Sequence, residues 1–293
     1  MPTKNESAGI ARVVREIPRR VAGKKVDVYV IDKSTDNTAE IARRAGAIVV
    51  GQESVGKGNA MIEAFERIRA KVFVFIDGDN TYDAKSLERL VAPILKGEAD
   101  MTVANRLVDM EPGAITTFNR FGNFVFNKLV RTFYKQEIRD MLSGYRAIRG
   151  DKAKELNLIT PGFEIETELT IEALEKGLRV KEIPIHFKKR AGVTKLHPLK
   201  DGARIFKTVL FMLRDTKPLY FFSVLGGASL ILSLWPTSLI VYEKIAFGEV
   251  RHIPSTVFSA FTILLGIQLI TLGLLADMIK TKTQKLEKSL KKA

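Results

Sequence analysis

Two long uncharged runs near the end of the chain limit its possible folds most strongly. Leu219–Tyr242 and Pro254–Ala276 contain no Asp, Glu, Lys or Arg, and each is longer than the roughly 20 residues that an α-helix needs to cross a bilayer. A chain of 293 residues has no second core large enough to bury both runs. They predict a transmembrane region of two helices, residues 218–280, with a short, nearly neutral connection over residues 243–253.

The charge distribution around these runs predicts an orientation. The formal net charge is +14, and both the approach to the first run and the tail over residues 281–293 are basic. By the positive-inside rule both flanks are cytoplasmic, which predicts a multi-pass protein of the cell membrane whose preceding domain and tail lie in the cytoplasm. Residues 198–217 predict an amphipathic juxtamembrane helix that either lies in the membrane interface or packs on the globular domain.

Composition excludes several functions. The chain has no Cys, so disulfides, thiolate catalysis and Cys-based zinc sites are excluded. The basic excess favours anionic partners, namely nucleic acid, phospholipid headgroups or phosphorylated substrates. The two apolar runs favour the lipid bilayer, and we expect no nucleic-acid partner.

The first hundred residues alternate between strand and helix patterns. This order is typical of an α/β fold with a mostly parallel sheet flanked by helices on both faces. The predicted strands are residues 26–31, 47–50, 72–76 and 100–104, and the predicted helices are residues 8–17, 38–45, 58–68 and 86–95.

The predicted strand Val72–Ile76 ends in two carboxylates. Its apolar run indicates burial on both faces, and Asp77-Gly78-Asp79 follows directly. The carboxyl ends of such strands are where open α/β sheets bind ligands. A divalent cation that also carries a diphosphate would relieve the repulsion between Asp77 and Asp79. The alternative is a turn with two solvated Asp side chains.

Nine short motifs in a fixed order, ahead of the paired apolar runs, resemble glycosyltransferase family 2 with its GT-A (Rossmann-like) fold. More narrowly, the chain resembles the membrane-attached polyprenyl-phosphate glycosyltransferases, which include the dolichyl-phosphate mannose and glucose synthases. The GT-A domain is expected over residues 1–197. The motifs are PTKNE (2–6), DKSTDNT (32–38), GKGNA (56–60), DGD (77–79), ANR (104–106), NRFGN (119–123), DMLSGYR (140–146), FEIETEL (163–169) and RAGVTKL (190–196).

The resemblance implies a donor site. Base and ribose of the sugar nucleotide would be held by Pro2, Lys4, Glu6 and Asp32. Asp77-Gly78-Asp79 would be the DxD motif, in which Asp77 and Asp79 bind Mg²⁺ or Mn²⁺ and Asp79 is the direct ligand. Lys57 either adds positive charge near the nucleotide or is a solvated loop lysine.

The resemblance also implies an acceptor site. Arg106 and Arg120 match positions that bind the acceptor phosphate, and Arg190 matches a residue that closes over the donor diphosphate. Asp140 is either a base or sugar-hydroxyl ligand, or it satisfies its own turn. Two further pairs are less specific: Glu164 and Glu166 either contact the sugar or cap their helix, and His186 and His197 are expected to be structural or surface residues.

The expected reaction transfers a hexose from UDP-glucose, UDP-GlcNAc or GDP-mannose to dolichyl or polyprenyl phosphate on the cytosolic leaflet, with inversion. The acceptor phosphate is already anionic, so it needs positioning more than deprotonation. Two alternatives stay open: a family 2 transferase with a sugar or lipid-linked glycan acceptor, and a non-catalytic membrane scaffold. A homo-oligomer is possible with two spans per chain.

Three departures from the family pattern carry expectations of their own. The strand that usually precedes the P-x-x-N-E loop is missing, so we expect a groove in the core and a true start upstream. If the sequence is complete, we expect a less stable and inactive domain instead. Ile31 replaces the first of two acids, which leaves Asp32 alone. Asn80-Thr81 follows the DxD motif where mannose-type enzymes carry Leu-Gln, which weakens the mannose assignment.

Overall fold

The computed structural model describes residues 1–190 and 198–290. The prediction for His197 and most of the RAGVTKL motif lie outside the described residues. The chain divides into two compact units, Met1–Val209 and Leu210–Ala293. This division falls inside the predicted juxtamembrane helix, and the predicted domain boundaries stay predictions.

The strands of the first unit form separately hydrogen-bonded sheets. A parallel sheet has the order β1-β4-β5, and a four-stranded sheet has the order β6-β8-β7-β9, in which β8 runs antiparallel to β6 and β7. A short β2-β3 hairpin was not predicted. The strands are β1 (Pro2–Thr3), β2 (Arg20–Val21), β3 (Lys24–Lys25), β4 (Tyr29–Asp32), β5 (Ile48–Gly51), β6 (Val72–Phe75), β7 (Met101–Asn105), β8 (Arg146–Arg149) and β9 (Val180–Pro184).

Helices cover both faces of these sheets, as the alternating pattern predicts. A 3₁₀ turn, Ala84–Ser86, precedes the fourth helix. The helices of the first unit are α1 (Ile10–Glu16), α2 (Thr38–Arg44), α3 (Lys57–Arg67), α4 (Leu87–Leu95), α5 (Thr117–Tyr134), α6 (Gly150–Ala153) and α7 (Ile165–Glu175), and α8 (Pro198–Thr216) reaches into the second unit.

Two apolar cores lie on opposite faces of the strands. Val30 belongs to the core that contains α1 and α4, whereas its neighbour Ile31 belongs to the core that contains α3 and α7. Successive side chains of a strand point to opposite faces, so β4 contributes to both cores. In the second core Phe65 of α3 packs edge-to-face on Phe73 and Phe75 at centroid distances of 5.0 and 5.1 Å.

The sheet is less continuous than the prediction of a single mostly parallel sheet implies. Strand β1 contains only two residues and pairs with β4, and no pairing joins β1 to β6 among the described strands. The backbone of β6 instead pairs with β8 on one side. The expectation of an upstream start stays a prediction.

The second unit contains two long helices, α9 (Pro218–Phe247) and α10 (Ile253–Leu290). Both are long and apolar enough to cross a membrane, and only 17% and 22% of their most apolar windows are buried, unlike the core helices of a soluble domain. Helix α10 continues into the predicted basic tail, because Lys, Glu, Gln and Leu are good helix formers.

Close backbone contact and inter-helix hydrogen bonds join α9 to α10. A Cβ on Gly226 would lie 2.6 Å from the carbonyl oxygen of Gly266, so only glycine fits at this crossing. Ser229 Oγ donates to the carbonyl of Thr262 at 2.7 Å. At the turn the buried carboxylate of Glu243 accepts from the backbone N–H of Arg251 and of His252.

Candidate active site

A cavity of about 970 Å³ opens in the first unit, beyond the carboxyl ends of β1, β6 and β7. One end, here called the carboxylate end, contains Asp77 and Asp79 with the cations Lys57 and Arg190. The other, here called the arginine end, contains Arg106 and Asn123 with the buried Asp140 behind them. Both ends open into one space, so a ligand that fills it contacts both.

At the carboxylate end, Lys57 bridges two acids. Its Nζ lies 2.6 Å from Asp77 Oδ1 and 2.6 Å from Glu166 Oε1. Burial opposes the charge of Lys57, but the attraction of Asp77 and Glu166 outweighs burial and raises the pKa of its ammonium group. Burial likewise opposes the charge of Asp77, yet Lys57 outweighs it and lowers the pKa of the carboxyl. Lys57 is therefore a charged member of the site.

Arg190 holds the second carboxylate of the DxD motif. Its Nη1 donates to Asp79 Oδ2 at 2.8 Å, and its Nη2 donates to the carboxylate of Glu6 at 2.9 Å. The other oxygen, Asp79 Oδ1, accepts from the hydroxyl and the backbone N–H of Thr81. In this state each DxD carboxylate is paired with one cation.

Local backbone geometry allows the turn after Asp140 to approach Asp77 and Lys57 closely. A Cβ on Gly144 would lie 2.7 Å from Asp77 Oδ2 and 2.9 Å from Lys57 Nζ, so a glycine lets the turn after Asp140 approach the DxD motif. Asn80 has a φ of 60°, a left-handed conformation that Asn tolerates better than most residues. It turns the chain sharply after Asp79.

At the arginine end, a fully buried carboxylate fixes Arg106. Asp140 accepts from Arg106 Nε at 2.8 Å, from Nη2 at 2.7 Å and from the backbone N–H at 2.9 Å. Asn123 Nδ2 donates to the same carboxylate at 2.9 Å. Burial opposes the charge of Arg106, but Asp140 outweighs burial and raises the pKa of the guanidinium. No residue in the described part of the chain accepts a hydrogen bond from Nη1 of Arg106.

Two buried oxygen atoms of cavity residues have no hydrogen-bond partner in the described part of the chain. They are Oδ1 of Asn123 and Oε2 of Glu166. A buried acceptor without a donor is costly. A ligand hydroxyl would supply the donor only after a turn of the side chain toward the cavity.

Tyr82 and Arg146 support the turn between the two ends. Tyr82 Oη accepts from the backbone N–H of Gly144 at 2.8 Å. Arg146 is fully buried and donates to the carbonyls of Met141, Ser143 and Glu166. Burial lowers the pKa of Arg146. Sequence reasoning assigned no role to either residue, because their partners lie in turns rather than in a recognisable pair.

The carboxylates present fit a divalent metal. Asp77 and Asp79 both line the cavity and offer oxygen ligands, which Mg²⁺ and Mn²⁺ prefer. Within the described residues no group of three or more His, Cys, Asp or Glu could hold a metal by itself. Two carboxylates suffice when phosphate and water supply the remaining ligands.

Most of the predicted donor residues line the cavity, but Asp32 does not. Pro2, Lys4, Glu6 and Gly78 are lining residues. Asp32 is not among them, and its carboxylate accepts from Thr3 Oγ1 and Ser34 Oγ at 2.7 and 2.5 Å. The structure thus shows Asp32 bracing the loop that carries Glu6.

Arg120 differs from the other predicted arginines. Its side chain is exposed and does not line the cavity, whereas Asn119 and Asn123 on the same helix do. Residues one position apart point about 100° apart around a helix, so α5 presents the face of Asn119 and Asn123 instead. The predicted role of Arg120 stays a prediction.

Of the remaining predicted residues, one acid belongs to the site, whereas the other acid and His186 do not line the cavity. Glu166 is buried in the site through Lys57, whereas Glu164 does not line the cavity. His186 hydrogen bonds Asp109 at 3.0 Å on the surface. Asn123 is one of the cavity residues that sequence reasoning missed, although its spacing of four from Asn119 on an amphipathic helix indicated a shared face.

The chain matches a known protein family and curated relatives. The model of glycosyl transferase family 2 matches residues 1–156. Glycosyltransferase AglJ of Haloferax volcanii is 36% identical over 282 residues, which cover 95% of this chain and 91% of that protein. A protein of the same organism named dolichyl-phosphate hexose transferase is 34% identical over 212 residues, which cover 72% of this chain and 90% of that protein.

A solved structure has the same fold. It is glucosyl-3-phosphoglycerate synthase from Mycobacterium tuberculosis in complex with Mn²⁺ and UDP-glucose, with a TM-score of 0.59 and 25% identity. The match covers 73% of this chain and 76% of that chain. The predicted GT-A fold is confirmed.

Proposed function

Because the chain belongs to glycosyl transferase family 2, we propose that it transfers a hexose from a nucleotide-diphosphate sugar to dolichyl or polyprenyl phosphate. The observation that carries this proposal is the arginine end of the cavity. Arg106 is held by Asp140 through two of its three nitrogens, which leaves Nη1 for an anionic ligand. A fixed guanidinium suits a phosphate acceptor better than a sugar hydroxyl, which would need a base.

The carboxylate end would bind the donor. Asp77 and Asp79 would hold Mg²⁺ or Mn²⁺, and Lys57 and Arg190 would contact the diphosphate. Bound there, the metal would offset the negative charge that develops on the leaving nucleoside diphosphate. The solved relative binds Mn²⁺ and UDP-glucose, which supports Mn²⁺ and UDP-glucose as the first pair to test.

Catalysis would rest on orientation and charge rather than on a base. Asp140 already accepts from Arg106 and Asn123, so its assigned role is to position the guanidinium. A phosphate monoester is largely dianionic near neutral pH, since its second pKa is about 6. Direct in-line attack by its oxygen would invert the anomeric centre, and Arg106 would hold the attacking group in line.

The lipid acceptor accounts for the second unit. Helices α9 and α10 would anchor the protein in the cell membrane, and the basic residues that flank them favour a cytoplasmic domain. The relative named dolichyl-phosphate hexose transferase supports the same acceptor class. The proposal for a homo-oligomer rests on the two spans alone.

The test is transfer of radiolabelled sugar into a lipid extract. The full chain in detergent would receive polyprenyl phosphate and Mn²⁺ or Mg²⁺, with UDP-glucose, UDP-GlcNAc and GDP-mannose in separate reactions. We expect a labelled lipid with one donor, and none after chelation. Transfer to polyprenol-linked glycan but not to polyprenyl phosphate would overturn the proposed acceptor. No transfer to either acceptor would favour a scaffold.

A further inference from the structure

We propose that Glu182 is a positioning residue for the acceptor phosphate, because one carboxylate on β9 fixes both chain segments that form the Arg106–Asp140 pair. This inference rests on the proposed function. Glu182 is not among the residues that line the cavity, so it would act through its neighbours and touch no substrate.

The first oxygen of Glu182 fixes the segment of Asp140. Oε1 accepts from the backbone N–H of Arg139 and from that of Asp140, each at 2.7 Å. Two successive N–H groups on one oxygen fix the orientation of both peptides. The direction in which the Asp140 side chain leaves the backbone is set by these bonds.

The second oxygen fixes the segment of Arg106. Oε2 accepts from Asn105 Nδ2 at 3.1 Å, and Asn105 Oδ1 accepts from the backbone N–H of Leu107 at 3.0 Å. Asn105 therefore bridges Glu182 to the residue that follows Arg106. The segment on either side of Arg106 is held to the same carboxylate that holds Asp140.

The charge of Glu182 is unfavourable where it lies, outside the cavity lining and largely shielded from water. Burial raises the pKa of Glu182, and the nearby charge of Asp140 raises it further, whereas the N–H donors lower it. A carboxylate that only needed solvation would lie better on the surface. Its position suits a residue that aligns two segments separated by 34 positions in the sequence.

Alignment matters because Arg106 is held by two parallel bonds. A bidentate pair depends on the relative placement of both backbones, and a misplacement of about 1 Å near a reacting group can cost about 100-fold in rate. Loss of Glu182 would therefore weaken phosphate binding at Arg106 and leave the carboxylate end largely unchanged, because Glu182 makes no hydrogen bond to Asp77, Asp79, Lys57 or Arg190.

The experiment measures binding of farnesyl phosphate, a short polyprenyl phosphate, by calorimetry with the full chain in detergent. Glu182→Ala is expected to raise its Kd about tenfold, the scale of one lost charge-assisted hydrogen bond. The Kd of UDP-glucose with Mn²⁺ should change less than about twofold, within ordinary surface effects. Glu182→Gln keeps an acceptor oxygen for the two N–H groups and should have an intermediate Kd.

The matched control is Lys181→Ala on the same strand. Lys181 pairs with Glu98 at 2.9 Å on the surface, and its loss should leave the Kd of both ligands unchanged. In an Arg106→Ala background, Glu182→Ala should weaken farnesyl phosphate binding no further, because the residue through which it acts is gone. If Glu182→Ala does not fold, Glu182→Gln with its melting temperature carries the test.

Three outcomes would overturn the inference: an unchanged farnesyl phosphate Kd in Glu182→Ala, equal weakening of both ligands, or the same weakening in the Arg106→Ala background. Sugar transfer assays separate this result from the proposed function. A wild type that binds farnesyl phosphate as expected but transfers no sugar to it would contradict the function and leave the inference standing. A wild type that does not bind it would contradict both.

Discussion

The two ends of the cavity hold charge in different ways. At the carboxylate end Asp77 and Asp79 keep 27% and 9% of their side chains exposed, and each is paired with a cation from a distant segment. At the arginine end Asp140 is fully buried, and its acceptors are filled by Arg106 and Asn123. The carboxylates of the first arrangement stay partly accessible to a ligand, whereas the carboxylate of the second does not.

The difference in burial between the two ends suits two different ways of binding phosphate. A metal-borne diphosphate must displace or recruit the cations at the carboxylate end, which requires mobile partners. A lipid monophosphate that acts as nucleophile needs a fixed site, because its orientation determines the attack. Four predictions follow from this difference, and each perturbs one end of the cavity against an unperturbed site or a surface control.

The largest effect is expected at the carboxylate end from Asp79→Ala. Loss of one electrostatic contributor to a developing charge typically costs about 100- to 1,000-fold in kcat. Sugar transfer should fall on this scale, and farnesyl phosphate binding should be unchanged. Equal loss of both would show that the two ends are not independent. Transfer of radiolabelled sugar and calorimetry measure the two properties.

Asp140→Asn should have the largest effect on stability. It leaves the mostly buried Arg106 without its counter-charge, and breaking a buried pair typically costs about 3 to 5 kcal/mol. Asp151→Asn is the control, because Asp151 pairs with Arg149 on the surface and its loss should cost about 1 kcal/mol or less. Urea unfolding of both variants measures the difference. A similar loss of unfolding free energy in both variants would contradict a strong buried pair between Asp140 and Arg106.

Lys57→Met should make metal binding sensitive to acid. In the folded protein the pKa of Asp77 lies below its ordinary value of 3.8, so the stabilisation from this charge is present above that value and lost only as the pH falls through the lowered pKa. Without Lys57, burial of Asp77 is opposed only by the more distant charges of Arg106 and Arg190, so we expect the pKa of the Asp77 carboxyl to rise. Mn²⁺ binding followed by electron paramagnetic resonance should then weaken as the pH falls from 7.5 to 5.5, because a proton on Asp77 competes with the metal.

The wild type should keep its Mn²⁺ affinity over the same pH range, as should Lys152→Met, which removes a lysine that pairs with Glu155 on the surface. A Lys57→Met variant with the flat profile of the wild type would show that Lys57 does not set the charge of Asp77.

Arg190→Gln should have the smallest effect and the opposite sign. Arg190 occupies Asp79 Oδ2 at 2.8 Å, so its removal should free this oxygen and tighten Mn²⁺ binding in the absence of donor. The expected gain is about two- to fivefold, the scale of a partly exposed ion pair. Donor binding should weaken at the same time. Lys189→Gln, next in the chain and exposed, is the control, and weaker Mn²⁺ binding in Arg190→Gln would exclude competition for Asp79.

The local parts of this molecule were predictable from its sequence. Each βα step of the first unit depends on a short apolar run and the turn after it, so the DxD motif at the end of β6 was placed correctly. The two apolar helices were evident from length alone. The antiparallel pairing of β8 was not, because it joins Val72 to Arg149 across a long stretch of chain.

The supporting residues of the site were the least predictable. Glu182 and Asp140 are 42 positions apart, and nothing near Glu182 in the sequence indicates which N–H groups it accepts from. Asp32 braces a loop through Thr3 and Ser34, which the motif did not indicate, and its expected role at the nucleotide stays a prediction. Motifs identify chemistry, whereas packing decides which carboxylates a ligand can reach.

The crossing of Gly226 and Gly266 has a consequence for the membrane anchor that we propose. No acyl chain fits between backbones this close, and the short link over residues 248–252 keeps the joined ends of α9 and α10 together. The two segments would therefore be inserted as one folded hairpin rather than one after the other. A bulky residue at Gly226 should accordingly be detected first by quality control during biogenesis, before any loss of catalysis.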